Sequence, residues 1–295
     1  SASEALAAEE TYRKPVRLEL DNGIPLIFRE DHSLPFVYCC VAVKGGLLSE
    51  NGDNNGITML MSDLLTRGTG RYSSEQIAET VESRGASLSS FSGRNSFGLK
   101  GKWFSDDSEM LIELTADCLL NPVFDSVELE KQQKIQVARI ARVKEQPFAV
   151  AREELRRMIF AGHPYQWSPL GTESNIMSVG SEDLREHRDR LVVAGNVAVA
   201  IFGDISRQRA EQLAERHFGN ISASGSPDLE HALPQLNLPK EETRHMPKEQ
   251  AIILMGLPAM GIGDPRVESF SLMQKAMSGI DRKSTRLNSS HRYVS

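Results

Sequence analysis

The stretch NNGITMLMSDLLTRGTG, Asn54–Gly70, predicts an amphipathic helix followed by a glycine-rich turn. Apolar residues recur at positions 57, 60, 61, 64 and 65, which is the spacing of a helix with one buried face. Positions 59, 62, 63 and 66 therefore share another face. That face carries a thioether, two hydroxyls and a carboxylate. The pattern alone leaves open whether it is a metal site, a degenerate metal site or a solvated surface.

The composition indicates a globular, acidic chain. Its 295 residues are 40% hydrophobic and 25% charged, which is enough to bury a substantial core. The formal net charge is -6, and acids and bases are interspersed, which argues against a phosphate-backbone binder. No apolar run approaches the roughly 20 residues of a membrane helix. We therefore predict neither nucleic acid nor a membrane as a partner.

The rest of the sequence combines strand and helix patterns. VRLELDNGIPLIFRED alternates apolar and polar residues on both sides of Asn22-Gly23, which predicts a β-hairpin. PFVYCCVAVKGG predicts a third strand, and Ser73 with Gln76 predicts a capping box at a second helix. Two short strands, three helices between about residues 106 and 160, a buried strand and a last helix follow. Regular βαβ alternation is missing, so we predict an α+β fold with a mostly antiparallel sheet packed by helices.

We predict five segments along the chain. Residues 1–11 are typical of a linker or leader, 12–219 of one α+β domain, and 220–240, rich in Ser, Pro, Asn and acids, of a linker. A strand, a loop and a helix then repeat the opening pattern, which predicts a truncated second copy of the domain over 241–281. Residues 282–295 abandon the apolar patterning and resemble translated adapter sequence, so we expect a non-native tail.

Several segments occur in an order and spacing that identify a family. They are LDNGIPLIFREDHSLPFV, VKGGLLSE, NGITMLMSDLLTRGTG, VESRGASLSSFSGRNSFG, LTADCLLNPVFDSVELEKQQ, FAGHPYQWSPLGT and NVAVAIFGDIS. From Arg17 to Asp281 the chain resembles the pitrilysin/insulinase (M16) family of zinc metallopeptidases. The resemblance implies an M16-type (LuxS/metallohydrolase-like) domain within a clamshell of paired α+β domains, which encloses a chamber where unfolded peptides are cut.

The same resemblance locates the family's zinc site on the opening helix. In the H-x-x-E-H motif two imidazoles bind zinc and the Glu activates water. Met59 and Asp63 stand at the histidine positions here, Ser62 stands at the Glu position, and Arg139 aligns with the family's third ligand. A thioether and a hydroxyl are poor zinc ligands, and an arginine repels the cation. We therefore expect no catalytic residue, metal or cofactor in this chain, and zinc only in an active partner half.

Two questions stay open around this helix. Asp63 and Arg139 could pair where the metal would have been, or Asp63 could simply face solvent. In the family, the strand corresponding to SLSSFSGRN lies beside the active site and pairs with the substrate backbone. Ser89, Ser90 and Phe91 would form that peptide-binding edge here, although Ser89 stands where active relatives carry Asn. The alternative is an ordinary sheet edge.

His163 is a further candidate ligand. It lies in AGHPYQ, with no second His or Cys at ligand spacing. We therefore predict a structural turn held by Pro164 and packed by Tyr165.

The predicted function is accessory. We expect a half of a bacterial M16-type protein that is inactive alone, builds the peptide chamber and supports proteolysis by an active half, in cis or in trans. Unfolded peptide would be the substrate, and the bacterial periplasm or cell envelope is the favoured location. The alternative is a stand-alone peptide-binding or assembly module without proteolysis. A hydrolase that recruits other residues is a third possibility, for which the sequence offers no constellation.

Overall fold

The first unit of the fold is built on six strands. The computed structural model describes residues 14–223, 225–232, 234, 240–247, 251–257, 259, 261 and 263–279. The chain divides into two compact units, Ser1–Ile253 and Leu254–Ser295. The strands are β1 (Val16–Glu19), β2 (Pro25–Glu30), β3 (Phe36–Lys44), β4 (Ser87–Ser92), β5 (Ser96–Phe104) and β6 (Val197–Gly203).

These strands form one sheet in the order β1-β2-β6-β3-β5-β4. Strands β2 and β6 run parallel, and the other neighbouring pairs are antiparallel. The β1–β2 hairpin pairs Val16 with Phe28, and Gly23 in its turn has a φ of 86°, a conformation that favours glycine. The predicted α+β class with a mostly antiparallel sheet is confirmed.

Helices cover the face of the sheet that holds the core. The α-helices of this unit are α1 (Ile57–Leu64), α2 (Ser74–Glu82), α3 (Ser108–Leu120), α4 (Ser126–Lys144), α5 (Pro147–Ile159), α6 (Glu173–Ser178), α7 (Ser181–Leu191) and α8 (Arg207–Phe218). Helices α1, α3 and α8 contact the strands. Alternate strand residues such as Leu26, Val41, Leu99, Val199 and Ile201 are fully buried in this layer, as the period of two along a strand requires.

Local sequence signals explain where several helices begin. Ser73 and Gln76 form the predicted capping box at the start of α2. The Asp125 carboxylate accepts hydrogen bonds from the backbone N–H groups of Val127 and Glu128 at the start of α4. Helices α3, α4 and α5 are the three helices predicted between about residues 106 and 160.

The second unit contains the predicted helix, α9 (Val267–Gly279). The strand expected ahead of it is wrong, because residues 251–257 have no regular secondary structure. Ile253, Met255 and Leu257 alternate as in a strand, but each is at least 77% exposed. In the described part of the chain no strand pairs with this segment, and an isolated extended segment leaves its backbone groups to water.

The remaining segment boundaries stay predictions. The described residues of 222–247 contain neither helix nor strand, which suits a linker over 220–240. The predicted leader, 1–11, and the predicted tail, 282–295, lie outside the described residues. Among the helices of the described residues, none combines the length and the apolarity that crossing a membrane requires.

Candidate functional site

The start of helix α1 is held by a buried glutamate. Glu50 is 5% exposed, and its carboxylate accepts hydrogen bonds from the backbone N–H of Gly56 (2.8 Å) and of Thr58 (3.0 Å) and from Asn55 Nδ2 (2.9 Å). Burial raises the pKa of this carboxyl, and the hydrogen bonds act in the opposite direction. Gly56 offers no side-chain cap, so Glu50 satisfies amide groups that would otherwise lack partners.

A buried histidine fixes the same turn of α1. His187 Nε2 lies 2.9 Å from Thr58 Oγ1, and His187 Nδ1 lies 3.2 Å from Arg190 Nη2. Because a guanidinium can only donate, Nδ1 accepts and Nε2 carries the proton that is donated to Thr58. Burial lowers the pKa of His187 to about 3, and the charge of Arg190 acts in the same direction. The imidazole is therefore neutral and structural.

Ser62, which stands at the position that resembles the family's general base, makes a structural contact. Ser62 is fully buried, and its hydroxyl donates a hydrogen bond to the backbone oxygen of Thr58, one turn earlier in α1 (2.7 Å). The hydroxyl thus bonds the helix's own backbone. Met59 is half-buried on the neighbouring turn.

Asp63 and Arg139 form an ion pair. Arg139 Nη1 donates to Asp63 Oδ2 at 2.7 Å, with the Asp63 side chain 29% and the Arg139 side chain 48% exposed. Of the two alternatives left open by the sequence, the paired arrangement is therefore the observed one. Helix α4 brings Arg139 to this position, since Gln136, three residues earlier, donates to the backbone oxygens of Gly56 (3.1 Å) and Leu170 (2.9 Å).

This set of donors does not fit a zinc ion. Zinc sites need three or four imidazole, thiolate or carboxylate ligands. Here the one carboxylate, that of Asp63, is already bonded to a guanidinium, and Ser62 is bonded to Thr58. Across the described residues no group of three or more His, Cys, Asp or Glu side chains could hold a metal ion. Helix α1 is therefore formed and held in place although its side chains do not offer a set of zinc ligands.

The proposed peptide-binding residues lie on an edge strand. Strand β4, which contains Ser89, Ser90 and Phe91, pairs on one side with β5 and ends the strand order. Its other side has no neighbouring strand in the described part of the chain. Ser89 is exposed, and helix α1 contacts β4. An exposed edge beside α1 is the geometry that β-augmentation needs, while peptide binding itself remains a prediction.

His163 is structural, as the sequence indicated. Its Nδ1 accepts a hydrogen bond from the backbone N–H of Tyr165 (3.0 Å), and the rings of the two residues lie 4.5 Å apart. The side chain is buried and caps the short 3₁₀ helix Pro164–Gln166.

Sequence reasoning missed three features of the folded chain, two of them at the start of α1. Glu50 and His187 act through contacts with residues 6 and 129 positions away, respectively, and no local pattern marks such contacts. A third feature, a group of arginines on α5 and the β4–β5 turn, had a partial signal: Arg152 and Arg156 are spaced i, i+4, so they share one face of a helix.

Two family profiles match the sequence. The profile of insulinase (peptidase family M16) matches residues 26–173, and that of the peptidase M16 inactive domain matches residues 178–292.

Curated relatives are similar over most of this chain. A Bacillus subtilis protein named uncharacterized zinc protease YmxG is 22% identical over 264 residues, covering 89% of this chain and 64% of the relative. Mitochondrial-processing peptidase subunit beta of Lentinula edodes is 25% identical over 208 residues (70% and 45%). Cytochrome b-c1 complex subunit 1 of Bos taurus is 26% identical over 219 residues (74% and 45%). The chain thus spans between 45% and 64% of the length of these relatives.

Solved structures share the fold. The peptidase M16 inactive domain from Pseudomonas fluorescens superposes with a TM-score of 0.70 at 22% identity, over 76% of this chain and 54% of that one. The first half of the periplasmic protease PqqL from Escherichia coli superposes with a TM-score of 0.66 at 16% identity, over 75% and 49%.

Proposed function

Because this chain belongs to the insulinase-type peptidase family M16, we propose that it is a non-catalytic half of such a peptidase, which builds one wall of the peptide chamber for an active half. The observation that carries the proposal is the ion pair at 2.7 Å between Asp63 and Arg139, two positions that resemble ligand positions of the family. A carboxylate bonded to a guanidinium supports the helix and leaves no ligand set for zinc. The cut itself then belongs to a second half that carries H-x-x-E-H.

The residues of this chain have supporting roles in the proposal. Glu50 and His187 hold the start of α1, and Gln136 holds α4 beside it, so that the two helices keep their relative position without a metal. The open edge of β4 presents backbone N–H and C=O groups that an extended peptide can pair with. Peptide would therefore be oriented here and cut elsewhere.

The names of similar proteins support a partner half and a cell-envelope location. One structural neighbour is the first half of a protease described as periplasmic, and one relative is a subunit of a processing peptidase. We propose that the active half lies either on the same polypeptide or on a separate subunit. We further propose that the pair acts in the bacterial periplasm or envelope.

The test combines three samples: this chain, an H-x-x-E-H protein from the same genome, and the two expressed together. We expect the chain alone, supplied with zinc, to leave an unfolded peptide intact, and the co-expressed proteins to co-purify and to cleave it faster than the H-x-x-E-H protein alone. The control is the pair with the motif Glu of the active half replaced by Gln, which should co-purify without cleaving.

Two outcomes would contradict the proposal. Cleavage by the chain alone that a chelator stops would mean that an active site exists within it. Peptide binding by the chain, without co-purification or any gain in cleavage, would favour the stand-alone binding module instead.

A further inference from the structure

Three arginines converge between the β4–β5 turn and helix α5. Arg94 follows β4 by two residues, and Arg152 and Arg156 lie one turn apart on α5. The guanidinium carbon of Arg94 lies 5.9 Å from the ring centre of Tyr165. The three charges act on one another: those of Arg94 and Arg152 help to lower the pKa of Arg156, after the larger effect of its burial, to about 10. We call these three residues the arginine cluster.

Arg156 is the buried member of the cluster, and no carboxylate among the residues that the structure describes forms a hydrogen bond with it. It is 8% exposed, and its Nε is buried without a hydrogen-bond acceptor. Glu153 Oε1 is 4.0 Å from Arg156 Nη2, which is beyond hydrogen-bond distance. A buried charge without a hydrogen-bonded counter-ion is costly. The guanidinium of Arg156 therefore destabilises the folded chain.

The other two members, Arg94 and Arg152, are not bonded to any carboxylate in the described part of the chain. Among the described residues no Asp or Glu forms an ion pair or a hydrogen bond with Arg94 or Arg152, and Arg94 is half-buried, which lowers its pKa. Arg157 on the same helix shows the contrast: it bonds Glu154 at 2.7 Å and Glu242 at 2.5 Å. Helix α5 therefore carries one arginine that is bonded to two carboxylates and two arginines that no carboxylate hydrogen-bonds in the described part of the chain.

We propose that the arginine cluster binds a carboxylate of an acidic peptide, an inference that rests on the peptide-binding role proposed above. Guanidinium groups bind carboxylates through paired, charge-assisted hydrogen bonds. Strand β4 ends two residues before Arg94, so a peptide paired with the β4 edge would come within a few residues of this member of the cluster. Free phosphate offers similar chemistry, but the position beside the edge strand favours a group carried by an extended peptide.

The test measures binding of two labelled peptides to the full chain by fluorescence anisotropy. The peptides are unstructured and identical except for one central Glu, which is Gln in the second. We expect the Glu peptide to bind about tenfold more tightly, as a charge-assisted hydrogen bond implies. In Arg152→Gln, a surface change that spares the fold, and in Arg94→Gln, that preference should fall to about twofold or less.

The matched control is Arg17→Gln, which removes the same charge from the exposed surface of β1, the opposite edge of the sheet. It should keep the full preference. Equal binding of the two peptides by the unaltered chain would overturn the arginine cluster as a carboxylate site while leaving peptide binding intact. Equal losses in Arg17→Gln and Arg152→Gln would reduce the effect to net charge and overturn it as well.

Two further arms separate the sources and the proposals. Inorganic phosphate that displaced the Glu peptide but not the Gln peptide, at concentrations as low as those at which the Glu peptide itself binds, would assign the cluster to phosphate and overturn the peptide carboxylate. Failure of both peptides to bind would overturn peptide binding and this inference together. Failure to co-purify with an active half, by contrast, would contradict only the proposed function and not the carboxylate site.

Discussion

At the scale of single residues, Asp63 and Arg139 form an ion pair at two positions that resemble ligand positions of the family. The pair is partly exposed, with the two side chains 29% and 48% accessible. Ion pairs of that kind contribute roughly 0.2–1 kcal/mol to folding, far less than a structural zinc ion. The pair therefore cannot be the main reason that α1 keeps its place. Glu50, Thr58 and the buried apolar stripe of α1 are better placed to hold it.

The position of Arg139 beside helix α1 leads to a prediction about zinc binding. The combined changes Met59→His, Asp63→His and Arg139→Glu supply two imidazoles and a carboxylate at the positions that resemble the family's ligands. We expect this variant to bind about one zinc ion per chain, because three such ligands and a water complete a tetrahedral site. Metal content after gel filtration and calorimetric titration with zinc would measure it.

The unaltered chain and Met59→His alone are the controls for this experiment. Both should bind zinc much more weakly, because one added imidazole leaves Asp63 bonded to Arg139. If the triple variant bound no more zinc than they did, the alignment of these positions with the family's ligands would be wrong.

At the scale of elements, the entry to α1 depends on two backbones that approach closely. Gly56 (φ +96°) and Gly171 (φ +73°) lie against each other, and a Cβ on Gly171 would come 2.2 Å from the backbone oxygen of Asn55. Such an approach leaves no room for a side chain, and the atom in the way belongs to the backbone. The loop before α6 therefore fixes where α1 begins.

Gly162 provides a matched control for this contact. Its φ is +82°, close to that of Gly171, yet a Cβ there meets nothing within 4 Å. Both substitutions to Ala should cost about 1 kcal/mol for the left-handed backbone. Gly171→Ala should cost about 1–3 kcal/mol more, because a backbone must move. Urea unfolding followed by tryptophan fluorescence would show the difference. Equal urea midpoints for the two variants would mean that the loop containing Gly171 moves at no cost in stability.

Elements with a strong period were predictable, and those that depend on distant partners were not. Helix α1 and the hairpin β1–β2 follow from apolar spacing and from Asn22-Gly23, since these signals lie within the segment itself. Residues 251–257 form a continuous apolar run and no strand, because a strand also needs a neighbour. Apolar composition favours a strand without guaranteeing its hydrogen bonds.

The candidate site divides in the same way. The residues that replace the zinc ligands could be predicted, because the resemblance fixes their positions along one helix. The ion pair could be raised only as one of two alternatives, because the sequence does not set the distance between α1 and α4. The arginine cluster joins a turn to a helix about 60 residues later, a proximity that only the folded chain creates.

At the scale of the whole molecule, stability depends on histidines that act in opposite directions. The pKa of His187 is lowered to about 3, so its stabilising contribution is present above its ordinary pKa, near 6.5, and is lost as the pH falls. Hydrogen bonds to Asp204 and Glu30 raise the pKa of His32, so its contribution is present below about pH 6.5 and is lost as the pH rises. His32 is largely exposed, and we expect its effect to be the smaller.

The last prediction concerns the slope of stability with pH. Unfolding near pH 5 lets His187 take up a proton that the folded chain refuses, which costs on the order of 1.4 kcal/mol per pH unit below about pH 6.5. Between about pH 6.5 and pH 5 the unaltered chain should therefore lose on the order of 2 kcal/mol more than His187→Gln, as measured by urea unfolding. His32→Gln, which removes the opposing group, should lose at least as much as the unaltered chain. Equal slopes of unfolding free energy against pH for the unaltered chain and His187→Gln would contradict this prediction. They would mean that water reaches both His187 and its contact with Thr58 at the start of α1.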